Sequence, residues 1–262
     1  MFPGRILISY SHDSTIRSAM KFRVKKILIT TVCLIAVCVT YTAINFDINH
    51  LLPKSIVSRR NARLSFDGID VSHHQGKIDW EKVATAQPEL KFVYVKCSEG
   101  ETYVDPNFIR NARGAAEQGY RVGAYHYFRM TSSAHEQYRN FKTQMDKVHL
   151  DLIPMVDIEK DDNKPRKELQ DSLRVLLNLL EKAYGKKPMI YGTQRSYNSY
   201  CAPEFNNYPL YIGKYSYSKP VVIGPSHYTI WQFSETGSIN GFAGGVDLCR
   251  FHPNKSLNDI SL

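Results

Sequence analysis

Cysteine pairs at redox or metal spacing are missing from this 262-residue chain. Five cysteines are present, and none stands in Cys-x-x-Cys or in a Cys/His cluster, which excludes a zinc module. Cys33 and Cys38 fall in an apolar run; the other three are Cys97, Cys201 and Cys249. Three is odd, so at least one of them has no partner in that part of the chain. Cys97 and Cys249 end apolar runs and are expected as buried thiols rather than members of a disulfide frame. Internal repeats and low-complexity tracts are also absent. So are basic runs over most of the length. The formal charge of +9 suggests nucleic acid until it is located: ten of the 34 Lys/Arg and two of the 25 Asp/Glu lie in residues 1–65, leaving 24 and 23 beyond them. A nearly neutral remainder lacks the electrostatic footprint that phosphate binding needs, so nucleic acid is excluded as a partner.

One stretch lacks charge altogether. Ile27 to Phe46, ILITTVCLIAVCVTYTAINF, is long enough to span a bilayer core as a helix. No Ala-x-Ala cleavage site accompanies it, and Val37 before Cys38 makes a poor lipoprotein box. Thr30, Thr31, Thr40 and Thr42 follow no amphipathic period, which argues against a buried soluble helix. An uncleaved anchor is therefore expected. Lys25 and Lys26 abut the run, whereas Lys54, Arg59, Arg60 and Arg63 lie further off. The positive-inside rule then puts the N-terminus in the cytoplasm and the remainder on the far side of the cell membrane. The chain divides into a basic cytoplasmic segment (1–26), a single transmembrane helix (27–46), a linker with Pro, Ser and Arg (47–65) and an exported domain (66–262).

Past the linker, short β-rich runs alternate with helical patterns. The runs are Phe66–Val71, Phe92–Cys97, Arg121–Phe128, Leu152–Ile158, Pro188–Tyr191, Leu210–Ile212, Tyr228–Phe233 and Gly245–Leu248. Helices are predicted over Asp79–Ala86, Pro106–Gln118, Ser133–Val148 and Arg166–Tyr184. The last carries Leu169, Leu173, Leu176, Leu177 and Leu180 on one face and Gly185 as its C-terminal cap. Asp105-Pro106 supplies an N-cap and a first-turn proline for the second. Strand–helix alternation implies a parallel sheet with crossover connections, and eight strands in this length imply a compact α/β barrel. Little room is left for helices between the final three strands.

In such a barrel, chemistry gathers at the C-terminal ends of the strands. Those ends offer Asp70, Glu99, Tyr125, Tyr127, Asp157, Glu159, Tyr191, Tyr211, Trp231, Gln232 and Asp247. Asp157 and Glu159 are spaced i, i+2, which on a strand sets both side chains on one face. Two carboxylates that close push one pKa up, so that one stays protonated while its neighbour is ionised. That is the equipment of a glycosidase. Aromatic faces stack on sugar rings while carboxylates bind hydroxyls and move protons. Four carboxylates ending separate strands are costly to bury without a use. Any single tyrosine here is equally at home in a core; the set as a whole points to a glycan site.

Several motifs in order resemble a known family. Gly68-Ile69-Asp70-Val71-Ser72-His73-His74-Gln75-Gly76 followed by Ile78-Asp79-Trp80 is similar to the opening of the glycoside hydrolase family 25 lysozymes, the Chalaropsis-type muramidases. The likeness continues through Lys96-Cys97-Ser98-Glu99-Gly100, Tyr103–Phe108, Gly123–Phe128, Asp157-Ile158-Glu159, Ile190-Tyr191-Gly192, Trp231-Gln232-Phe233 and Val246-Asp247-Leu248. The resemblance implies a flattened (β/α)5(β)3 TIM-like barrel over residues 66–262 that hydrolyses the β-1,4 bond between N-acetylmuramic acid and N-acetylglucosamine in peptidoglycan. It implies Glu159 as general acid, with Asp157, Asp70 and Asp247 as the other catalytic acids. Glu99, Tyr125, Tyr127, Tyr191, Tyr211, Trp231 and Gln232 are then expected to bind substrate. Neither metal nor organic cofactor is called for, and the expected partners are peptidoglycan glycan strands and, through the N-terminal helix, the membrane; a monomer is expected. Cys97, Cys249 and Tyr211 depart from the residues usual in the family, which bears on sugar contacts rather than on chemistry. Among rival readings, a chitinase-like enzyme has further Asp residues where Ile153 and Met155 stand. A silent glycan-binding module would be expected to lack Glu159 or Asp70, and both are present.

Overall fold

The computed structural model describes residues 65–262, apart from Asp161 and Tyr217. The run Ile27–Phe46 and the linker as far as residue 64 lie outside the described residues. Among those described, no helix is long and apolar enough to cross a membrane.

Nine strands follow in chain order: β1 (Gly68–Val71), β2 (Phe92–Glu99), β3 (Tyr103–Val104), β4 (Arg121–Tyr127), β5 (Met155–Asp157), β6 (Met189–Thr193), β7 (Leu210–Gly213), β8 (Ile230–Gly237) and β9 (Val246–Phe251). Eight of them close a ring in the order β1-β2-β4-β5-β6-β7-β8-β9, because β9 pairs back onto β1. Every pairing from β1 round to β8 is parallel, and β9 runs antiparallel to both its neighbours. The two-residue β3 folds back on the end of β2 outside the ring. Helices α1 (Trp80–Ala86), α2 (Phe108–Glu117), α3 (Ala134–Met145) and α4 (Arg166–Tyr184) fill the first four crossovers. A short α5 (Gln194–Ser196) running into the π-helical turn Tyr197–Cys201 fills the fifth. The chain thus forms a mixed eight-stranded barrel with five βα units.

Alternation along the strands separates two cores. Outward side chains such as Val93, Val95, Ile190 and Ile212 pack under the helices, where Leu169, Leu173, Leu176, Leu177 and Leu180 of α4 are all fully buried. At about 1.5–3 kcal/mol for each buried leucine, that face anchors α4 to the sheet. Gly185 ends the helix at φ 68, with its N–H on the Glu181 carbonyl. Inward side chains form a second core of Phe92, Tyr94, Ile153, Met189, Tyr211, Ile230 and Cys249, closed at the bottom by Ile260 of the C-terminal segment. Glycine at 68 and 123 makes room for the interior rings. A Cβ at Gly68 would lie 2.2 Å from Phe92, and one at Gly123 2.4 Å from Tyr94. Cys97, Cys201 and Cys249 are free and buried, as the apolar runs that end in Cys97 and Cys249 imply for those two.

Two boundaries differ from the sequence expectation for identifiable reasons. β5 starts at Met155 rather than Leu152, after Pro154, which has no N–H to give a ladder. α2 starts at Phe108 behind Asn107, not behind Asp105. Asp105 is instead drawn inward, accepting the N–H groups of His73 and Asn107, both at 2.9 Å. Buried His126 hydrogen-bonds Ser98 at 2.8 Å and Gln137 at 3.0 Å, and burial pushes its pKa down to about 4, so it stays neutral. Gln137 also grips the backbone of Arg129 and Ser132, fixing the loop after β4 at the barrel mouth.

Candidate active site

The strand ends bring the acids together. In the β1–β9 pairing Asp70 lies directly opposite Asp247, and along the parallel ladder Tyr127, Asp157, Tyr191 and Tyr211 occupy matched positions on β4, β5, β6 and β7. Side chains at these strand ends surround a cavity of about 190 Å³ at the C-terminal end of the barrel. Seven of the residues expected from the sequence line it: Asp70, Tyr125, Asp157, Glu159, Tyr191, Gln232 and Asp247.

The other four lie elsewhere. Tyr211 is fully buried just beneath, where its hydroxyl donates to Asp70 Oδ2 at 2.6 Å. Tyr127 flanks the cavity and donates to Glu159 Oε2 at 3.4 Å. Glu99 stands behind it, bonded to Lys96 Nζ at 2.7 Å and to both Nε and Nη2 of Arg129. Trp231 does not reach the cavity. Its neighbours Ile230 and Gln232 point inward, so strand parity turns it outward into the helix-side core, where Nε1 donates to the Lys214 carbonyl at 2.8 Å. Three lining residues were not anticipated: Met155, Tyr215 and Glu235. Tyr215 sits in the loop after β7, which carries no periodic signal. Glu235 is brought in by the irregular register between Gln232 and Gly237, where simple alternation fails. Inward parity from Phe92 and Tyr94 could have found Lys96, whose ammonium lies 5.0 Å from the Tyr127 ring centre.

A tyrosine–amide network ties the floor together. Tyr191 and Tyr215 donate to Gln232 Oε1 at 2.7 and 2.9 Å, and Gln232 Nε2 donates to Asp70 Oδ2 at 2.9 Å. Burial pushes Asp70 up to about 6, against the opposing pull of the hydrogen bonds from Tyr211, Gln232 and Asp247. Asp247 is driven well above the carboxylate range by burial and then by the charge of Asp70. Burial thus raises both members of the Asp70/Asp247 pair, and each charge raises the cost of the other.

In the second pair, where the sequence leads to an ionised Asp157 beside a protonated Glu159, burial raises both carboxyls. β5 ends at Asp157, which is buried, while Glu159 lies beyond it on the exposed rim. Burial, and then the Glu159 charge, drive Asp157 well above its ordinary value, with Lys96 opposing. Its Oδ1 is enclosed with no hydrogen-bond partner among the described residues, which adds to the cost of ionising it. Loss of surrounding water also raises Glu159, but the Tyr127 hydroxyl and the charges of Lys160, Lys96 and Arg129 offset part of the rise. Both carboxyls are therefore raised, Asp157 as the enclosed member and Glu159 at the rim. Among the described residues no cluster of His, Cys, Asp and Glu is arranged to hold a metal ion.

Known proteins resemble this chain in sequence and fold. The family profile described as glycosyl hydrolases family 25 matches residues 69–242. An Escherichia coli K12 protein, YegX, is 37% identical over 202 residues, covering 76% of this chain and 74% of its own length. Lysozyme M1 of Streptomyces globisporus is 29% identical, covering 71% of this chain and 67% of its own. Among solved structures, a family 25 glycosyl hydrolase from Bacillus anthracis superposes with a TM-score of 0.67 at 32% identity, over 75% of this chain and 93% of that one. The matched family, the shared fold and the ring of acids agree, and the chain is a glycosidase belonging to glycosyl hydrolase family 25.

Proposed function

We propose that this chain is a muramidase, cleaving the β-1,4 bond between N-acetylmuramic acid and N-acetylglucosamine in peptidoglycan. One observation carries the reading: Asp70, Asp157, Glu159 and Asp247, from three different strands and the end of one, line a single tyrosine-walled cavity. Naming of relatives such as Lysozyme M1 supports the substrate class.

In this reading Glu159 is the general acid. It occupies the rim, where a leaving oxygen of a bound glycan is accessible, whereas Asp157 is enclosed. Substrate moves the proton between them. Sugar covering the rim removes water from Glu159 and raises its pKa, while an acetamido N–H donated to Asp157 stabilises the ionised form and lowers its pKa. The proton then resides on the carboxyl that faces the scissile bond. Asp157, newly ionised, holds the acetamido group, whose oxygen attacks the anomeric carbon as the leaving oxygen takes the Glu159 proton. A water that gives its proton to Glu159 then opens the ring so formed, and ionised Asp70 at the floor stabilises the positive charge that develops on the sugar ring in both steps. No step draws on a metal or organic cofactor.

Membrane attachment completes the proposal. Ile27–Phe46 tethers the barrel on the outer side of the cell membrane, with residues 1–26 in the cytoplasm and residues 47–65 as the spacer. Purified peptidoglycan is digested with the purified chain, and the new reducing ends are identified by mass analysis. Reducing muramic acid ends are expected; reducing glucosamine ends, or none, refute the assignment. The tether is checked separately, since a mature protein beginning after residue 38 and soluble without detergent is incompatible with it.

A further inference from the structure

Glu159 lies past the end of β5, so the sheet ladder does not hold it in place. Ile158 is still tied to the barrel, buried and with its N–H on the Tyr191 carbonyl at 2.9 Å. Beyond Glu159 the chain turns through two consecutive non-glycine residues in the left-handed region, Asp162 at φ 48 and Asn163 at φ 61. Such a turn persists where its surroundings over-determine it. Here the Asp162 carboxylate does so: Oδ2 accepts the Met130 N–H at 2.9 Å, and Oδ1 accepts from Arg129 Nη1 at 3.4 Å. The turn after Glu159 is thereby pinned to the loop after β4.

Arg129 is the centre of this clamp. Its Nε and Nη2 both donate to Glu99 Oε1, at 2.9 and 2.7 Å, while Lys96 Nζ holds Oε2 at 2.7 Å. Its backbone N–H donates to Gln137 Oε1 at 2.9 Å. One guanidinium thus joins the end of β2, the loop after β4 and the turn after Glu159. Isolated ion pairs at a surface contribute little, but a forked arginine shared between two carboxylates fixes geometry. That geometry has a target. Arg129 Cζ lies 4.8 Å and Lys96 Nζ 5.0 Å from the centre of the Tyr127 ring, and the Tyr127 hydroxyl donates to Glu159 Oε2 at 3.4 Å. With Oε2 accepting that bond, the transferable proton belongs on Oε1.

We infer that Arg129 is a positioning residue for Glu159: clamped by Glu99 and Asp162, it sets the Tyr127 ring and the turn after Glu159 so that the carboxyl is held at the cavity rim in a fixed orientation. The inference rests on the proposed reading of Glu159 as the general acid. Neither Arg129 nor Asp162 lines the cavity, so their effect passes through Tyr127 and the backbone rather than through sugar. A displacement of about 1 Å at a reacting group can cost on the order of 100-fold in rate, so a loosened clamp is felt in turnover and not in binding.

The test measures kcat and KM of the full chain on soluble glycan fragments across pH. Arg129→Lys keeps the charge but cannot span both carboxylates. Asp162→Gly removes both acceptors at a left-handed position that glycine adopts freely. Each is expected to lower kcat by about tenfold with KM within about twofold of the parent. The double variant should be no slower than the slower single, because both cut one clamp. Burial lifts the Glu159 pKa and the Tyr127 bond pulls it back, so loosening that bond should also move the basic limb of kcat to higher pH. The other charges around Glu159, on Asp70, Asp157, Asp247, Lys96 and Lys160, stay in place in both variants. Parental kcat in both variants overturns the inference. So does a raised KM at unchanged kcat, which would mark direct contact with substrate, or a lowered kcat with an unmoved basic limb, which would mark a loss of structure alone. Glu159→Gln is run alongside. If it matches the parent, the acid assignment fails and the positioning role with it; if it is inactive while both clamp variants keep parental kcat, only the positioning role fails.

Discussion

Replacing Tyr211 by Phe tests whether Asp70 works as an ionised group. The Tyr211 hydroxyl donates to Asp70 Oδ2 at 2.6 Å inside the fully buried floor. A hydrogen bond to a charged group is worth about 1.5–3 kcal/mol, and one pKa unit is about 1.4 kcal/mol, so its loss raises Asp70 by roughly 1–2 units. From about 6 in the parent protein, Asp70 moves to roughly 7–8. Phe keeps the ring that packs edge-on against Tyr191 at 5.3 Å and Tyr94 at 6.3 Å, so the fold should persist. The acid limb of kcat/KM against pH, measured on soluble glycan fragments, should then shift up by the same roughly 1–2 units. Near pH 6 the variant should be slower by about tenfold, and above about pH 9 the two should converge. A uniform loss at every pH would mean that Tyr211 only shapes the floor. An unmoved acid limb would mean that Asp70 need not ionise.

Stability gives the same prediction a second readout. Asp70 titrates higher in the folded chain than its ordinary 3.8, so the folded state binds more protons between about pH 4 and 6. Its contribution is most favourable below about pH 4 and is lost as pH rises through the folded value. Raising that value in Tyr211→Phe extends the loss to higher pH. The melting deficit of the variant should therefore be larger at pH 8 than at pH 4, and a deficit independent of pH contradicts the argument.

Three further outcomes are expected. Glu159→Gln should keep its circular dichroism and melting curve while losing on the order of 100-fold or more in turnover, and near-normal turnover would remove Glu159 from the acid role. Asp157→Asn should be stabilised relative to the parent at pH 8 but not at pH 4, because an amide escapes the cost of ionising an enclosed acid as pH rises above about 4; activity should fall despite the gain. Trp231→Phe should lose about 1 kcal/mol of stability with its bond to Lys214, yet keep kcat/KM within about twofold; a large loss in KM would return Trp231 to the substrate.

Much of the barrel was legible because its periodicities are strong. The five leucines of α4 follow one helical face, and the eight barrel strands fall within the apolar runs apart from a few residues at their ends. The acids could be read because each ends a run, and parallel strands align such ends at one mouth. What escaped depends on geometry that spacing does not encode. Trp231 and Gln232 are adjacent in one motif, yet adjacent residues on a strand face opposite ways, so only Gln232 enters the cavity. Glu235 arrives through irregular pairing on β8, and Tyr215 through a loop. Spacing shows that two carboxylates are near, but not that burial raises both of them, with Asp157 the more enclosed.

The barrel interior is divided between two tasks that conflict. Phe92, Tyr94, Met189, Ile230 and Ile260 make its lower part an ordinary apolar core, while Asp70, Asp157, Asp247 and Gln232 make its upper part a place where ionised groups are unwelcome. Five acids around about 190 Å³ could not all carry charge, since each ionisation raises the cost of the next. The tyrosines resolve part of this by donating where charge is tolerated: Tyr211 to Asp70 directly, Tyr191 and Tyr215 through Gln232, and Tyr127 to Glu159. Cations are kept to one side. Lys96 and Arg129 are locked to Glu99 behind Tyr127, close enough to bias Asp157 and Glu159 but outside the cavity lining. The free site is thus held short of its working charge state, and the groups that a bound glycan strand would bring, an acetamido N–H and a covering sugar face, are the ones needed to complete it.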